Sequence, residues 1–355
     1  MPLLEFTDRG IYCPPAGVYL DPWKPVDRAL ITHGHADHAR PGHGHYLCTE
    51  SAAPVIRYRL RLENNLQTAR YGEPVVINGV QFTFYPAGHI PGSAQIRVEH
   101  QGEVWVFTGD YKLENDGVSE PFELVRCHTF ITESTFGLPV YRWKPQQVIM
   151  DDINAWWRQN RAEGKVSVIA GYTLGKSQRI IKNIDTTIGN VFVHGSVDNI
   201  LEIFRAQGMT LPRTQRVTTQ HKKQDFEGSL VICPPSAVGT PWIRRFLPYS
   251  LGIASGWMSL RGARRRRGAD RGFALSDHVD WESLNTAVRE TGAERVYVTH
   301  GYTEVYSQYL REQGLEAHAV KTDYEGELSE MVEGEEKTNP DPVEEQENTT
   351  GGTAA

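Results

Sequence analysis

Apolar runs recur along the chain, and most of them end in an acid or an imidazole. The run Ala29-Leu30-Ile31 leads directly into Thr32-His33-Gly34-His35-Ala36-Asp37-His38. Val75–Ile77 and Gln81–Tyr85 alternate around Asn78-Gly79, the strongest short signal for a two-residue hairpin. That hairpin delivers the loop Pro86-Ala87-Gly88-His89-Ile90-Pro91-Gly92-Ser93. Val104-Trp105-Val106-Phe107 reads as a buried strand and runs on to Thr108-Gly109-Asp110, while Thr129–Gly137 repeats the pattern around Glu133. From about Leu138 to Arg271 the pattern changes. Val166–Ala170, Val191–Val193 and Leu230–Cys233 predict strands, with helical spacing such as Asn199–Ala206 between them, and this alternation predicts an α/β unit with a parallel sheet. The chain then returns to Phe273–His278 and Arg295–Gly301, both read as strands ending in histidine. The simplest organisation is one domain inserted in another: residues 1–137 and 272–328 form a discontinuous domain and 138–271 the insert. Residues 1–28 predict short strands around Pro-Gly turns, one of them closed by Leu20-Asp21-Pro22.

Length, composition and charge sharpen this picture. A chain of 355 residues with 39% hydrophobic and 23% charged residues suits a globular protein of two domains. No apolar run approaches the roughly 18 residues that span a bilayer, and Met1-Pro2-Leu3-Leu4-Glu5 has neither a basic start nor an apolar core, so a cytoplasmic protein without a membrane partner is expected. The net charge of −7 conceals an asymmetry: residues 325–355 hold ten acids against Lys337, a net of −9, which leaves +2 for residues 1–324. The Glu-, Pro- and Thr-rich tail at 329–355 buries too little to order itself, and disorder is predicted there. Cys13, Cys48, Cys127 and Cys233 are scattered without a CxxC pair, which argues against a disulfide framework or zinc ribbon and for reduced, buried thiols.

The chemistry concentrates in the first histidine-rich stretch. Four donors in six residues, three of them imidazoles, are hard to explain as packing, because clustered polar groups at a strand end cost desolvation unless something pairs with them. His33 and His35 lie two apart on an extended segment and point the same way. Asp37 and His38 follow a turn, where a helix could begin and aim them at a second point. One tetrahedral zinc rarely takes four ligands this close together, so two neighbouring ions sharing the loop are expected. His89, Asp110 and His300 then supply donors at further strand ends, where functional sites collect.

His-x-His-x-Asp-His after an apolar strand resembles the signature of the metallo-β-lactamase fold, and the later His89, Asp110 and His300 match that family's order of motifs. The resemblance implies an αββα sandwich with a metal pair at one sheet edge. With its α/β insert the chain resembles the β-CASP nucleases, Glu133 matching their motif A, His278 motif B and His300 motif C. The fold class expected is therefore α/β (α+β), a metallo-β-lactamase sandwich with an inserted β-CASP domain. By this resemblance His33, His35 and His89 hold one metal, Asp37, His38 and His300 the other, and Asp110 bridges them. Asp37 also carries catalysis, Asp21 supports the metal loop, and His278, oriented by Glu133, protonates the leaving oxygen or binds the scissile phosphate. The cofactors implied are two divalent ions; imidazole with carboxylate suits Zn²⁺ and also Mn²⁺.

Ala254-Ser255-Gly256-Trp257-Met258, Gly262-Ala263-Arg264-Arg265-Arg266-Arg267 and Leu275-Ser276-Asp277-His278 resemble the bacterial ligase-associated DNA exonuclease branch. That resemblance implies a DNA exonuclease in repair, acting from a 5′ end, with a DNA ligase or helicase as partner. A ribonuclease in RNA processing and a non-catalytic nucleic-acid-binding scaffold are the alternatives. The seven filled donor positions speak against the scaffold. Ala170-Gly171-Tyr172-Thr173-Leu174-Gly175-Lys176-Ser177 looks like a degenerate phosphate-binding loop, but Ala170 stands where glycine is needed. The preferred reading places Lys176 and Ser177 at a helix start gripping a nucleic-acid phosphate. Arg264–Arg267 are expected to add phosphate contacts without sequence specificity. Trp242 and Trp257 are expected to pack in the core rather than stack on bases.

Overall fold

The computed structural model describes residues 2–260 and 268–324. The first sheet holds β1 (Glu5–Phe6), β2 (Ile11–Cys13), β3 (Val18–Leu20), β4 (Arg28–Leu30), β5 (His45–Thr49) and β6 (Leu66–Ala69), side by side in that order. Helix α1 (Ala53–Leu60) follows β5. The next strands are β7 (Pro74–Ile77), β8 (Val80–Pro86), β9 (Ala94–His100), β10 (Glu103–Phe107) and β11 (Thr129–Ser134). The hairpin between β7 and β8 turns at Asn78 and Gly79, both with positive φ, as an Asn-Gly turn requires.

Helix α2 (Gln146–Ala162) then opens a separate unit. Ile149, Met150, Ile153, Trp156 and Trp157 bury one face of it at helical spacing, with Pro145 at its N-cap. The unit continues with β12 (Val166–Ala170), α3 (Lys176–Asn183), β13 (Val191–Val193), α4 (Gly195–Ala206), β14 (Gln215–Arg216), β15 (Leu230–Cys233), β16 (Tyr249–Ala254) and β17 (Arg271–Phe273). Its strands are all parallel, in the order β14-β13-β15-β12-β16-β17. A parallel sheet is covered on both faces, which is why β13 and β15 read as continuous apolar runs and β12 is interrupted only by the buried Ser167, bonded to Asn160. The last strand crosses the 271/272 boundary drawn from sequence.

The chain re-enters the second sheet through α5 (Trp281–Thr291), β18 (Arg295–Gly301), α6 (Thr303–Glu312) and β19 (Glu316–Ala319), giving the order β19-β18-β11-β10-β9-β8-β7. Along β10 Trp105 and Phe107 face the first sheet, where they meet Leu20, Leu30 and Leu47. Val104 and Val106 face the other way, onto Leu284 and Val288 of α5. On the far side Ala29, Ile31 and Tyr46 pack under Ala53 and Ile56 of α1. The layers are thus helix, sheet, sheet, helix: the αββα sandwich with an inserted α/β unit. Fully burying each such side chain contributes roughly 1.5–3 kcal/mol. No helix among the described residues is long and apolar enough to cross a membrane. All four cysteines are free and buried, and burial pushes the Cys48, Cys127 and Cys233 thiols up to about 12, so none is poised as a thiolate.

Candidate metal centre

The donors sit past one end of the two packed sheets. After β4 the chain turns through Thr32–Arg40. The helix expected from Asp37 onward does not form: Ala39 N–H bonds the His35 carbonyl at 2.8 Å, closing one turn, and Pro41, without a donor, lets it go no further. His89 arrives on the loop between β8 and β9. Asp110 follows β10 across Gly109, whose φ of +56° and close approach to Thr32, 2.6 Å from a would-be Cβ to Oγ1, exclude a larger residue. Glu133 lies at a register shift in β11, a bulge that re-aims the strand opposite Thr299 and His300 of β18. His278, read from sequence as a strand end, lies in the irregular segment beyond β17.

Asp110 is the focus. Its Oδ2 lies 3.4 Å from His33 Nε2, 3.4 Å from His38 Nε2 and 3.7 Å from His89 Nε2, and its Oδ1 lies 2.7 Å from His300 Nε2. His35 Nδ1 is 3.1 Å from His89 Nε2, and Asp37 Oδ2 is 3.7 Å from His38 Nε2. All seven residues are buried. Their outward nitrogens are occupied. His33 Nδ1 meets Thr32 Oγ1 at 2.9 Å, His35 Nε2 meets the Leu174 carbonyl at 3.2 Å, and His89 Nδ1 meets the Asp277 carbonyl at 2.9 Å. His38 Nδ1 meets Asp21 Oδ2 at 2.7 Å. Such partners fix ring orientation and tautomer and leave the inward nitrogen for a cation.

Two observations test whether divalent ions fit. His33 Nε2 and His38 Nε2 are buried without an aligned hydrogen bond, a costly state that a cation relieves. Donor atoms of His33, His35, His89 and Asp110, and separately of His38, Asp110 and His300, lie within 4.8 Å of one another. Burial drives His33 down to about 4 and His89 to about 3, and holds His35 well below the ordinary imidazole value, so these rings are neutral at pH 7 as ligation requires. His38 goes the other way. Burial would lower it, but the carboxylates of Asp110 and Asp37 hold it well above its usual value. In turn burial would raise Asp110, but His38 and His300 keep it well below the carboxylate range.

Asp21 accepts from Thr32 N–H and Thr32 Oγ–H besides His38, which ties the metal loop to the end of β3. Asp21→Asn keeps the shape but replaces one acceptor by a donor. It is expected to weaken metal binding by about 10–100-fold. Titration of metal-stripped protein with Zn²⁺ against a competing chelator measures this, and wild-type affinity in the variant would remove Asp21 from its supporting place.

Beside the cluster, His278 Nδ1 lies 2.9 Å from Glu133 Oε2, and Glu133 Oε1 accepts from Tyr111 N–H at 2.9 Å. Burial would raise Glu133, but His278 holds it below its ordinary value. The two residues read as phosphate grips lie elsewhere. Lys176 is 1% exposed, with Nζ 3.3 Å from Asp277 Oδ2, and Ser177 is buried with its hydroxyl donating to the Tyr172 carbonyl. Neither presents its side chain at the surface. Arg264–Arg267 and the tail at 329–355 lie outside the described residues.

Sequence reasoning missed Tyr324. Its ring stacks on His38 at 4.5 Å and 8°, meets His300 edge-on at 5.6 Å, and its hydroxyl donates to the Asp21 carbonyl at 2.8 Å. A single tyrosine beyond the last strand carries no periodic signal that could have revealed it.

No family model matches the chain. Among curated proteins it is 33% identical over 325 residues to a probable DNA ligase of Opitutus terrae, covering 90% of this chain and 31% of that one. An RNase J-like protein of Methanocaldococcus jannaschii is 28% identical over 191 residues, with 46% and 45% covered. An endoribonuclease YSH1 of Eremothecium gossypii is 29% identical over 124 residues, with 34% and 16% covered. The chain belongs to the metallo-β-lactamase/β-CASP family. It spans about a third of the length of the ligase-named relative and less than half of the other two. A protein of unknown function from Enterococcus faecalis shares the fold, with a TM-score of 0.56 at 9% identity, over 76% of this chain and 74% of that one. The β-CASP family implies divalent metal ions, and the buried histidine–aspartate clusters could hold them.

Proposed function

We propose that the chain is a dinuclear-metal nuclease that hydrolyses phosphodiester bonds of DNA, as an exonuclease favouring 5′ ends in DNA repair. The observation that carries this reading is the meeting of four imidazoles on Asp110 beside the Glu133–His278 pair. His33, His35 and His89 would hold one ion, Asp37, His38 and His300 the other, and Asp110 both, with Zn²⁺ favoured over Mn²⁺. Two such ions supply an activated water and neutralise charge on the phosphodiester. The chain's own groups do the rest. Asp37 takes a proton as attack proceeds. His278, held by Glu133, gives one to the leaving oxygen. Arg264–Arg267 track the phosphate backbone, in a body that is basic apart from its tail.

DNA is favoured because the relative matching 90% of the chain is named a DNA ligase, and a ligase is proposed as partner on the same ground. The second reading, an RNA-processing ribonuclease, rests on the partial matches to RNase J-like and YSH1 proteins. Digestion of end-labelled single- and double-stranded DNA and RNA tests both. Mononucleotides released from the 5′ end of DNA are expected, and replacing Arg264–Arg267 by Ala should flatten the salt dependence of binding. Preferential cleavage of RNA would transfer the reading to the ribonuclease. Binding without cleavage under any divalent metal would make the chain a scaffold.

A further inference from the structure

Arg179 of α3 is among the largest fully buried side chains, 1% exposed. Burying a guanidinium costs several kcal/mol unless its donors are met, and here they reach two loops at once. Nη1 donates to the Ser276 carbonyl and lies 3.1 Å from Asp277 Oδ1. Nε donates to Gln146 Oε1 of α2, and Nη2 lies 3.4 Å from Glu114 Oε2. Lys176, one turn earlier, approaches Asp277 Oδ2 at 3.3 Å, so Asp277 is held between two cations. Glu114, four residues past Asp110, also takes the buried Lys112 at 3.2 Å.

The other face of the clamped segment is the metal centre. The Asp277 carbonyl accepts from His89 Nδ1 at 2.9 Å, and Ser276 Oγ accepts from His278 N–H at 3.1 Å. Apolar side chains would pack this seam as stably as buried ions. What they lack is direction: only a planar fork satisfies acceptors on three segments in fixed geometry. Gly175, at φ +93° and too close to Ile90 for any Cβ, brings α3 near enough to do so.

We propose that Arg179 is a positioning residue of the metal centre. It pins Ser276 and Asp277 so that the Asp277 carbonyl keeps His89 in the tautomer whose Nε2 faces Asp110. The same clamp sets His278 beside Glu133. The inserted α/β unit is therefore part of the metal centre rather than a cover over it. This rests on the metal-centre reading above, and a metal readout separates its failure from failure of the nuclease reading. Arg179→Met and Arg179→Lys proteins, stripped of metal and shown to be folded by circular dichroism, are titrated with Co²⁺. Arg179→Met should bind Co²⁺ about 10–100-fold less tightly, with an altered visible spectrum, and Arg179→Lys should recover part of the loss. If Arg179→Met does not fold, Arg179→Lys decides on the same readouts. A folded variant with wild-type Co²⁺ affinity and spectrum overturns the proposal, whether or not the protein cleaves DNA. Weakened Co²⁺ binding in a protein without nuclease activity upholds the clamp and removes the nuclease reading alone.

Discussion

Asp110→Asn is expected to lower phosphodiester cleavage about a thousandfold, since losing about 4 kcal/mol of metal-borne charge stabilisation corresponds to that factor in rate. The reason is positional. Asp110 touches imidazoles of both clusters, with His33, His38 and His89 near Oδ2 and His300 at Oδ1. Asparagine keeps the shape but offers one acceptor and an NH₂ group, and the NH₂ must face ring nitrogens that a metal needs. It also removes the negative charge that offsets two cations. The variant should still fold. Asp110 heads the charges that hold His38 above its usual value, so its removal lets burial lower that ring again. Elemental analysis of dialysed protein should find fewer than two ions per chain. Two ions per chain with wild-type turnover would refute the bridging assignment.

The donors of this site were legible because the chemistry demands residues that packing does not. A run such as His33-Gly34-His35-Ala36-Asp37-His38 has no other economical explanation, and His89, Asp110 and His300 each follow a recognisable strand. The third sheet was legible for the opposite reason: β13 and β15 are apolar throughout, and β12 at every position but Ser167, because both faces are covered. What the sequence did not show was burial. Lys176, Ser177, Gln178 and Arg179 are four polar residues in a row at a helix start, the first two read as phosphate grips. All four are buried, because α3 sits where the inserted unit meets the Asp110 and His278 loops and its charges find partners there. Partners so far apart along the chain, 98 positions from Arg179 to Asp277, leave no local period to detect. Tyr324 escaped for the same reason. Local patterns report the elements, whereas the shell that orients the donors is made by tertiary contact alone.

His278→Ala is expected to keep the metal and lose the turnover. His278 could be counted as a ligand, since its donor atoms fall within reach of Asp110 and Glu133. Its Nδ1 is engaged by both Glu133 oxygens, at 3.0 and 2.9 Å, so a carboxylate orients the ring as Asp21 orients His38, and metal content in the variant decides between ligand and acid. Its main-chain carbonyl takes the Trp143 indole N–H at 2.9 Å, so the backbone is braced as well. A positioned general acid contributes about 10²–10⁴ in rate, and a loss of that size in kcat is expected with KM and metal content unchanged. The leaving group supplies the sharper test. A nitrophenyl phosphodiester expels an anion that departs without protonation, so the variant should be far less impaired on it than on DNA. Equal impairment on both substrates would show that His278 holds the phosphate instead of donating a proton, and loss of one ion per chain would make it a ligand. Only the combination of full metal, slow DNA and near-normal activated ester sustains the acid, and with it Glu133 as the residue that aims it.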